Sequence, residues 1–125
     1  MLPSEQRLRD NRAFRRVYGQ GRSYANELCV LYLWRRQGLA REEALGRRIG
    51  FVVSKKQGKA VQRNRIKRRL REAVRLRLPE LRPGAYDLVF VCRKGLSTAD
   101  GKAIQAAVTK LLLQANVLTD GEKTQ

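Results

Sequence analysis

The chain has 125 residues, with 28 Lys and Arg, 11 Asp and Glu and no His, so its formal net charge is +17. This length fits one domain, and a hydrophobic fraction of 42% allows one modest core. The lack of histidine removes the usual general base and transition-metal ligand. Because an excess of like charge opposes compaction, the composition favours a polyanionic partner, and nucleic acid above all.

A membrane surface is the alternative polyanion. The sequence has no apolar run of about 18 residues and no signal peptide with an apolar centre, so we expect a cytoplasmic protein without a membrane contact. Cys29 and Cys92 are too few and too far apart for a disulfide framework or a zinc site. Each lies in an apolar run, and we interpret both as buried free thiols. The carboxylates are scattered, without a pair suited to a two-metal site.

The first predicted element is a short helix. Asp10 or Asn11 can cap its start, because either side chain accepts a hydrogen bond from a free N–H group of the first turn. Gly19 and Gly21 are expected to end it. Three residues recur at i, i+3 and i+4 and predict one shared helical face: Phe14, Val17 and Tyr18.

Two strands are predicted next. Residues 23–36 are expected to form one long strand, and its two apolar faces are typical of a strand in the centre of a sheet. Residues 37–46 form a polar loop to which no role can be assigned. Residues 47–56 alternate in hydrophobicity, which predicts a second strand.

The second half predicts a helix, a strand and a final helix. Residues 62–78 form the first of these, ended by prolines, and residues 85–94 form the strand. Thr98 or Asp100 caps the last helix, and the tail from Thr119 is expected to fray. The apolar stripe of the last helix comprises Ile104, Ala107, Val108, Leu111, Leu112 and Ala115.

The order helix, strand, strand, helix, strand, helix predicts an α/β (α+β) fold in which helices pack against a small, mainly antiparallel sheet as a two-layer sandwich. We expect a single RNA-binding domain over residues 1–125. Its ordered core is expected at residues 7–117.

The helix at 62–78 carries the strongest functional signal. Between Arg63 and Arg77 lie eight basic residues and one acid. A solvated helix face normally mixes both charge signs at i, i+4, so this one-sided charge predicts a ridge that binds nucleic acid. Arginine suits bidentate phosphate contacts and stacking on bases. The opposite, apolar side comprises Ile66, Leu70, Ala73 and Val74, and the projecting ridge comprises Arg68, Arg71 and Arg75.

Aromatic residues form a second candidate site. If the first helix packs across the first strand, four rings could meet, and unpaired RNA bases stack on such rings for roughly 1–3 kcal/mol each. Packing in the core is the alternative, especially for the tryptophan. The four residues are Phe14, Tyr18, Tyr32 and Trp34.

The basic segment resembles the signature of the bacterial ribonuclease P protein component. It reads Arg-Asn-Arg-Ile-Lys-Arg at 63–68, with Arg71-Glu72 after it. A Ser-Lys-Lys at 54–56 and a Gly-x-Ala-Val at 58–61 precede it and make the match specific. Further similarities, within about residues 7–115, are Asp10 to Tyr18, Gly21-Arg22-Ser23, Asn26, Val30-Leu31-Tyr32, Gly50 to Val53 and Asp87-Leu88-Val89.

The resemblance implies a function that the spacing does not show. In this family a catalytic RNA subunit, with Mg²⁺ bound mainly by that RNA, removes the 5′ leader of precursor tRNA. The protein alone would be inactive and would need no protein partner. By resemblance, the RNA subunit contacts Arg63, Asn64, Arg65, Lys67, Arg68 and Arg71. The leader contacts Phe14, Tyr18, Val30 and Tyr32, with Ser54, Lys55 and Lys56 near the same surface.

The family fold is like the second domain of a small-subunit ribosomal protein, with a left-handed βαβ crossover through the basic helix. Without the resemblance a right-handed crossover would be expected. The chain departs from the family at Tyr24, where a small or aliphatic residue is frequent, and at Tyr18, where Phe is usual. Three other interpretations stay open: a structural RNA-binding protein such as a ribosomal protein, a free-standing nuclease, and a basic DNA-binding module.

Overall fold

The computed structural model describes residues 11–36 and 46–119. The predicted cap Asp10, most of the polar loop at 37–46 and the tail after Thr119 lie outside these residues. No helix in the described part is long and apolar enough to span a membrane. The regular elements, in chain order, are α1 (Asn11–Gln20), β1 (Arg22–Ala25), β2 (Cys29–Arg35), β3 (Arg48–Val52), α2 (Ala60–Arg75), β4 (Tyr86–Cys92) and α3 (Gly101–Gln114).

The four strands form one sheet in the order β1-β2-β4-β3. β2 pairs antiparallel with both β1 and β4, whereas β3 and β4 are parallel. The predicted α/β fold with a mainly antiparallel sheet is therefore confirmed. The connection from β3 through α2 to β4 is the predicted βαβ unit, and the left hand of that crossover stays a prediction from the resemblance.

The prediction of one long strand at 23–36 was wrong, because the chain turns back at Asn26. The side-chain Oδ1 of Asn26 accepts hydrogen bonds from Leu28 N (3.0 Å) and Cys29 N (3.1 Å). Its Nδ2 donates to Ala107 O on α3 at 3.0 Å. A short polar side chain that binds nearby backbone groups in this way favours a turn over a continued strand. The result is a β1–β2 hairpin, with β2 in the predicted central position.

Apolar side chains cover the two faces of the sheet unequally. α2 and α3 pack against one face over the main core, which includes Leu31 and Phe90. α1 packs on the opposite face over a smaller cluster of Ala13, Val17 and Val89. The sheet with α2 and α3 forms the predicted sandwich, and α1 adds partial cover on the other side.

The two cysteines are buried free thiols, as predicted. Cys29 on β2 and Cys92 on β4 lie directly opposite each other in the sheet. Burial, together with the neighbouring Cys92, raises the pKa of Cys29 to about 12, and burial also raises the pKa of Cys92. Both sulfurs therefore stay protonated at neutral pH, which makes them poor nucleophiles.

Local hydrogen bonds set the starts of α2 and α3. Gln62 Oε1 accepts from Lys59 N at 3.0 Å, so α2 begins two residues earlier than predicted. Gly58 precedes this turn with φ at +131°, and a Cβ there would lie 2.1 Å from Gln62 Oε1. Of the two predicted caps of α3, Asp100 is the one used: its Oδ1 accepts from Ala103 N at 2.8 Å.

The C-terminal helix is held to the core along its predicted stripe. Ala107 is half-buried, and the other five members of the stripe are buried: Ile104, Val108, Leu111, Leu112 and Ala115.

α2 ends at Arg75, three residues before the predicted end, and a short 3₁₀ turn with Pro79 follows. Thr119, predicted to begin the frayed tail, donates from N and Oγ1 to Glu80 O at 2.8 and 3.0 Å.

Gly21 lies where the end of α1 closely approaches β2. A Cβ at Gly21 would lie 2.5 Å from Val17 O and 2.6 Å from Leu33 O, both backbone atoms that cannot move aside cheaply. We expect Gly21→Ala to destabilise the fold by about 1–3 kcal/mol through this overpacking. Thermal unfolding followed by circular dichroism measures the destabilisation.

Gly19→Ala is the matched control, because a Cβ at Gly19 meets nothing within 4 Å. Alanine favours helix over glycine by up to about 1 kcal/mol, so this variant should unfold at the same or a higher temperature. Equal destabilisation by both substitutions would contradict the close α1–β2 contact.

Candidate nucleic-acid interface

The structure brings together three of the four predicted aromatic residues of α1 and β2. Ala13 and Val17 point at the sheet and turn Phe14 and Tyr18 to one flank of α1. Tyr18 and Tyr32 make an edge-to-face contact, with ring centroids 4.9 Å apart and an interplanar angle of 76°. Phe14 lies 6.4 Å from Tyr18, centroid to centroid. We name the site formed by Phe14, Tyr18, Val30 and Tyr32 the aromatic cleft.

Strand register supplies an apolar floor for the aromatic cleft. Val30 on β2 pairs with Val91 on β4, and Val91 pairs with Val52 on β3. The three side chains form a row on the same face as Tyr32, and each is only half-buried. Sequence reasoning missed Val52 and Val91, because alternation within one strand does not reveal which residues of other strands lie beside it.

The rings of the aromatic cleft stay partly open to solvent. Tyr18 is 40% exposed, and Phe14 and Tyr32 are half-buried. Burial and the neighbouring Tyr32 raise the pKa of Tyr18 above its ordinary value, so its phenol stays protonated at physiological pH. Neutral rings with an accessible surface are suited to stacking on unpaired bases.

Basic side chains lie at the end of β3 that contributes to the floor. Shortly after Val52 come three exposed residues, Ser54, Lys55 and Lys56. The lysines begin a 3₁₀ turn that leads from β3 toward α2. The predicted Ser-Lys-Lys segment therefore connects the edge of the aromatic cleft to the basic helix.

The basic helix α2 packs as predicted, with Ile66, Leu70, Ala73 and Val74 buried against the core. Asn64, Arg65 and Arg68 are exposed, and Arg63, Lys67 and Arg71 are half-buried. The ion pairs found within residues 11–36 and 46–119 are formed by other basic residues. Four cations of α2 are thus without a carboxylate partner there: Arg63, Arg65, Lys67 and Arg68.

Other arginines of α2 are engaged within the protein, which corrects the predicted ridge. Arg75 forms a bidentate ion pair with Glu72, with N–O distances of 2.6 and 2.9 Å, and this pair lowers the pKa of Glu72. Arg69 donates to Ala99 O. Arg71 lies over the Phe51 ring, with Cζ 5.9 Å from the ring centroid. The exposed ridge therefore centres on Arg65 and Arg68, with Arg71 at its flank.

The two candidate surfaces lie on different sides of the sheet. α1 and the aromatic cleft occupy one face, and α2 occupies the other. β3 is an edge strand beside α2, and its end carries Lys55 and Lys56. Two nucleic-acid segments could therefore bind at the same time without competing for the same side chains.

Three of the described carboxylates are paired with arginines. Asp87 is fully buried and accepts from Arg48 Nε and Nη2, both at 3.0 Å, and from Arg36 Nη1. Glu72 and Glu80 are paired with arginines as well. The described residues contain no group of three or more His, Cys, Asp and Glu that could hold a metal ion. Since Mg²⁺ prefers several oxygen ligands, the side chains described do not fit a magnesium site.

Trp34 does not join the aromatic cleft. It lies on the same sheet face as Tyr32 but beside the opposite flank of α1, where Arg16 Cζ stands 5.5 Å from its ring centroid. Its ring is half-buried, so neither the stacking prediction nor the core alternative describes it fully.

Comparison with known proteins agrees with this architecture. The family model for ribonuclease P matches residues 2–116. The ribonuclease P protein component of Clostridium botulinum is 42% identical over 113 residues, covering 90% of this chain and 96% of that protein. That of Herpetosiphon aurantiacus is 45% identical over 122 residues, covering 98% and 94%. The solved Staphylococcus aureus RNase P protein has a TM-score of 0.77 at 32% identity, covering 90% and 97%. The chain therefore belongs to the ribonuclease P protein family.

Proposed function

We propose that this chain is the protein subunit of ribonuclease P, acting in the bacterial cytoplasm. It binds a catalytic RNA through α2 and the single-stranded 5′ leader of precursor tRNA in the aromatic cleft. By holding both, it aids the endonucleolytic cut that leaves the mature 5′ end. This proposal rests on one observation: a member of this family has two separate surfaces, the basic helix α2 and the aromatic cleft.

The basic helix suits a structured RNA partner. Guanidinium groups without internal partners gain most from phosphates, because binding releases the counterions of the RNA. We assign the contact with the RNA subunit to Arg63, Asn64, Arg65, Lys67, Arg68 and Arg71. Arg71 differs from the others, since its stacking on Phe51 fixes the guanidinium plane before RNA arrives.

The aromatic cleft suits a flexible single strand. Phe14, Tyr18 and Tyr32 offer ring faces and edges, and the valine floor adds apolar contact without base-specific polar groups. Such a surface accepts any base, as is needed for leaders of varied sequence. Lys55 and Lys56, with Ser54, would hold the leader backbone at the end of β3. A purely structural RNA binder has no need for this cleft.

The chemistry of cleavage is assigned to the RNA. The chain has no histidine, and the carboxylates of Glu72, Glu80 and Asp87 are engaged by arginines. Mg²⁺ would supply an activated water and charge neutralisation at the phosphate, held mainly by RNA oxygens. The protein contributes binding and orientation, so we expect it to be inactive alone and to need no protein partner.

Cleavage of precursor tRNA at low Mg²⁺ tests the proposed function. A bacterial ribonuclease P RNA alone, this protein alone and the two together are compared by gel analysis of the 5′ product. We expect only the mixture to cut efficiently at the mature 5′ end. Cutting by the protein alone would support a free-standing nuclease, and no effect of the protein on the RNA would support a structural RNA binder.

The salt dependence of RNA binding tests the role of α2. Replacing both Arg65 and Arg68 with Ala should weaken binding of ribonuclease P RNA. The slope of log K against log[salt] should fall by roughly one unit for each phosphate that the protein no longer neutralises. Filter binding over a series of salt concentrations measures this slope.

The double variant Lys102→Ala/Lys110→Ala is the matched control. It removes the same charge from two exposed positions on α3. If RNA binds to the positive charge of α2 in particular, this control should leave the slope of log K against log[salt] nearly unchanged. If the slope fell equally in both double variants, net charge alone would explain the effect, and α2 would have no particular role.

Removing one ring should distinguish the binding of the leader from the binding of the rest of the precursor tRNA. We expect Phe14→Ala to weaken precursor tRNA binding by the holoenzyme about tenfold, since one stacked ring is worth roughly 1–3 kcal/mol. Mature tRNA binding should be unaffected. Fluorescence anisotropy with the two tRNAs gives both constants.

Tyr18→Phe, which keeps the ring, serves as the control and should bind precursor tRNA normally. A melting curve shows whether Phe14→Ala remains folded, because Phe14 is half-buried. Equal weakening of precursor and mature tRNA binding would assign Phe14 to packing alone.

A further inference from the structure

Three arginines lie at one end of the sheet, on the face that α2 and α3 cover. Arg22 begins β1 opposite Leu33 of β2, and Leu33 belongs to the main core. Arg35 ends β2 opposite Tyr86, another residue of that core. Residues directly opposite each other in a sheet share a face. Arg47 comes directly before β3, at the same end of the sheet. We name Arg22, Arg35 and Arg47 the arginine row.

The buried ring of Tyr86, at the start of β4, lies between two members of the arginine row. Arg35 Cζ is 5.9 Å from the ring centroid. Arg47 Nη2 lies 3.4 Å from Leu78 O, in the turn that follows α2, which puts Arg47 on the α2 side of the sheet. Burial raises the pKa of Tyr86, and nearby positive charges, including those of Arg47 and Arg35, offset part of the rise. Both guanidinium groups therefore lie close to this ring.

The arginine row is not neutralised by the carboxylates that the structure describes. The ion pairs among these residues are formed by other arginines. Glu80 and Asp87, on the segments next to the row, belong to those pairs. Nε of Arg47 is buried without a hydrogen-bond partner among the described residues, and the 3.4 Å contact of its Nη2 is longer than a normal N–H···O hydrogen bond. An anion at the row would therefore meet uncompensated positive charge.

The C-terminal end of α3 lies beside the arginine row but does not cancel its charge. Gln114 and Asn116 line the same opening as Arg22 and Arg35. The carbonyl groups at the C-terminus of a helix carry roughly half a negative charge in total. Each arginine of the row carries a full positive charge. The electrostatic potential at this end of the sheet is therefore positive and favours an anionic ligand.

The length of the arginine row selects the kind of anion. The strand order is β1-β2-β4-β3, so the row crosses three strand intervals from Arg22 to Arg47. Neighbouring strands lie about 4.8 Å apart, which makes the row about 14 Å long. One phosphate group cannot bridge that length. A ligand that contacts all three arginines must therefore be an extended polyanion.

We propose that the arginine row binds the phosphate backbone of the catalytic RNA subunit, as a second contact beside that of α2. The row and α2 lie on the same face of the sheet, whereas the aromatic cleft lies on the other. α2 runs back from the end of β3 to the start of β4, so its last turn ends near the row. Guanidinium groups match phosphate oxygens in geometry and charge. The identity of this RNA rests on the proposed function.

The salt dependence of binding between the full-length protein and a bacterial ribonuclease P RNA tests the arginine row. The variant Arg22→Gln/Arg35→Gln removes two charges from exposed side chains. We expect the slope of log K against log[salt] to fall by roughly one unit for each lost phosphate contact, hence by about two units. Filter binding measures the slope, and an unchanged slope would overturn the inference.

Two controls separate local charge from net charge and from misfolding. Arg22→Lys/Arg35→Lys keeps the charge and should keep the slope. Lys102→Gln/Lys110→Gln removes the same charge from exposed positions of α3 and should also leave the slope nearly unchanged. A fall in either control equal to that of the glutamine variant of the row would overturn the inference. If a melting curve shows that this variant is unfolded, Arg22→Gln alone replaces it, with an expected fall of about one unit.

Precursor tRNA is the other RNA that could supply the phosphates. The holoenzyme is assembled with the Arg22→Gln/Arg35→Gln variant at a protein concentration that saturates the RNA subunit. We expect it to bind precursor and mature tRNA as the unmodified holoenzyme does. Weakened tRNA binding with an unchanged slope for the RNA subunit would overturn the inference and assign the row to the substrate.

The proposed function and the arginine row can fail separately. If the holoenzyme cleaves precursor tRNA but the slope is the same for the variant Arg22→Gln/Arg35→Gln and the unmodified protein, the inference is wrong and the function stands. If the slope falls but the protein never stimulates cleavage, the proposed function is wrong and the RNA contact stands.

Discussion

The buried carboxylate of Asp87 is the interaction on which the arrangement of the sheet depends. It lies on the central strand β4 and binds Arg48 of the parallel neighbour β3 and Arg36 just after the antiparallel neighbour β2. Removing one member of such a buried pair typically costs about 3–5 kcal/mol, because the remaining charges are left without compensation. The cluster therefore holds three strands in one register. That register places Val30, Val91 and Val52 side by side.

Arginine has two opposite uses in this chain. Some guanidinium groups are paired with carboxylates of the protein: Arg36 and Arg48 with the buried Asp87, and Arg75 with Glu72 at the surface. Others, such as Arg65 and Arg68, face solvent without a described carboxylate partner. A net charge of +17 opposes compaction. The paired arginines therefore stabilise the folded state, whereas the unpaired arginines destabilise it by mutual repulsion. The unpaired group supplies the binding surface that we propose for RNA.

Placing helices on both faces of one thin sheet gives a small protein two independent surfaces. α2 and α3 enclose the main core, and α1 covers only part of the opposite face. The incomplete cover leaves half-buried rings and valines open to a ligand. Gly21 makes this possible, because its lack of a side chain lets α1 approach the backbone of β2 closely. One flank of α1, with Phe14 and Tyr18, then borders the aromatic cleft.

The sequence by itself determined what depends on neighbours along the chain. The 3.6-residue period identified the buried side of α2, the pair Thr98 and Asp100 marked the start of α3, and the two apolar faces of β2 placed it in the centre of the sheet. Only the tertiary structure decided what depends on partners distant in sequence. The break at Asn26 is fixed partly by Ala107 on α3, and the valine floor by the register of three strands. The position of Arg71 at the flank of the ridge follows from Phe51. Periodicity is a local property, whereas strand pairing and packing join residues whose separation along the chain carries no signal of their contact.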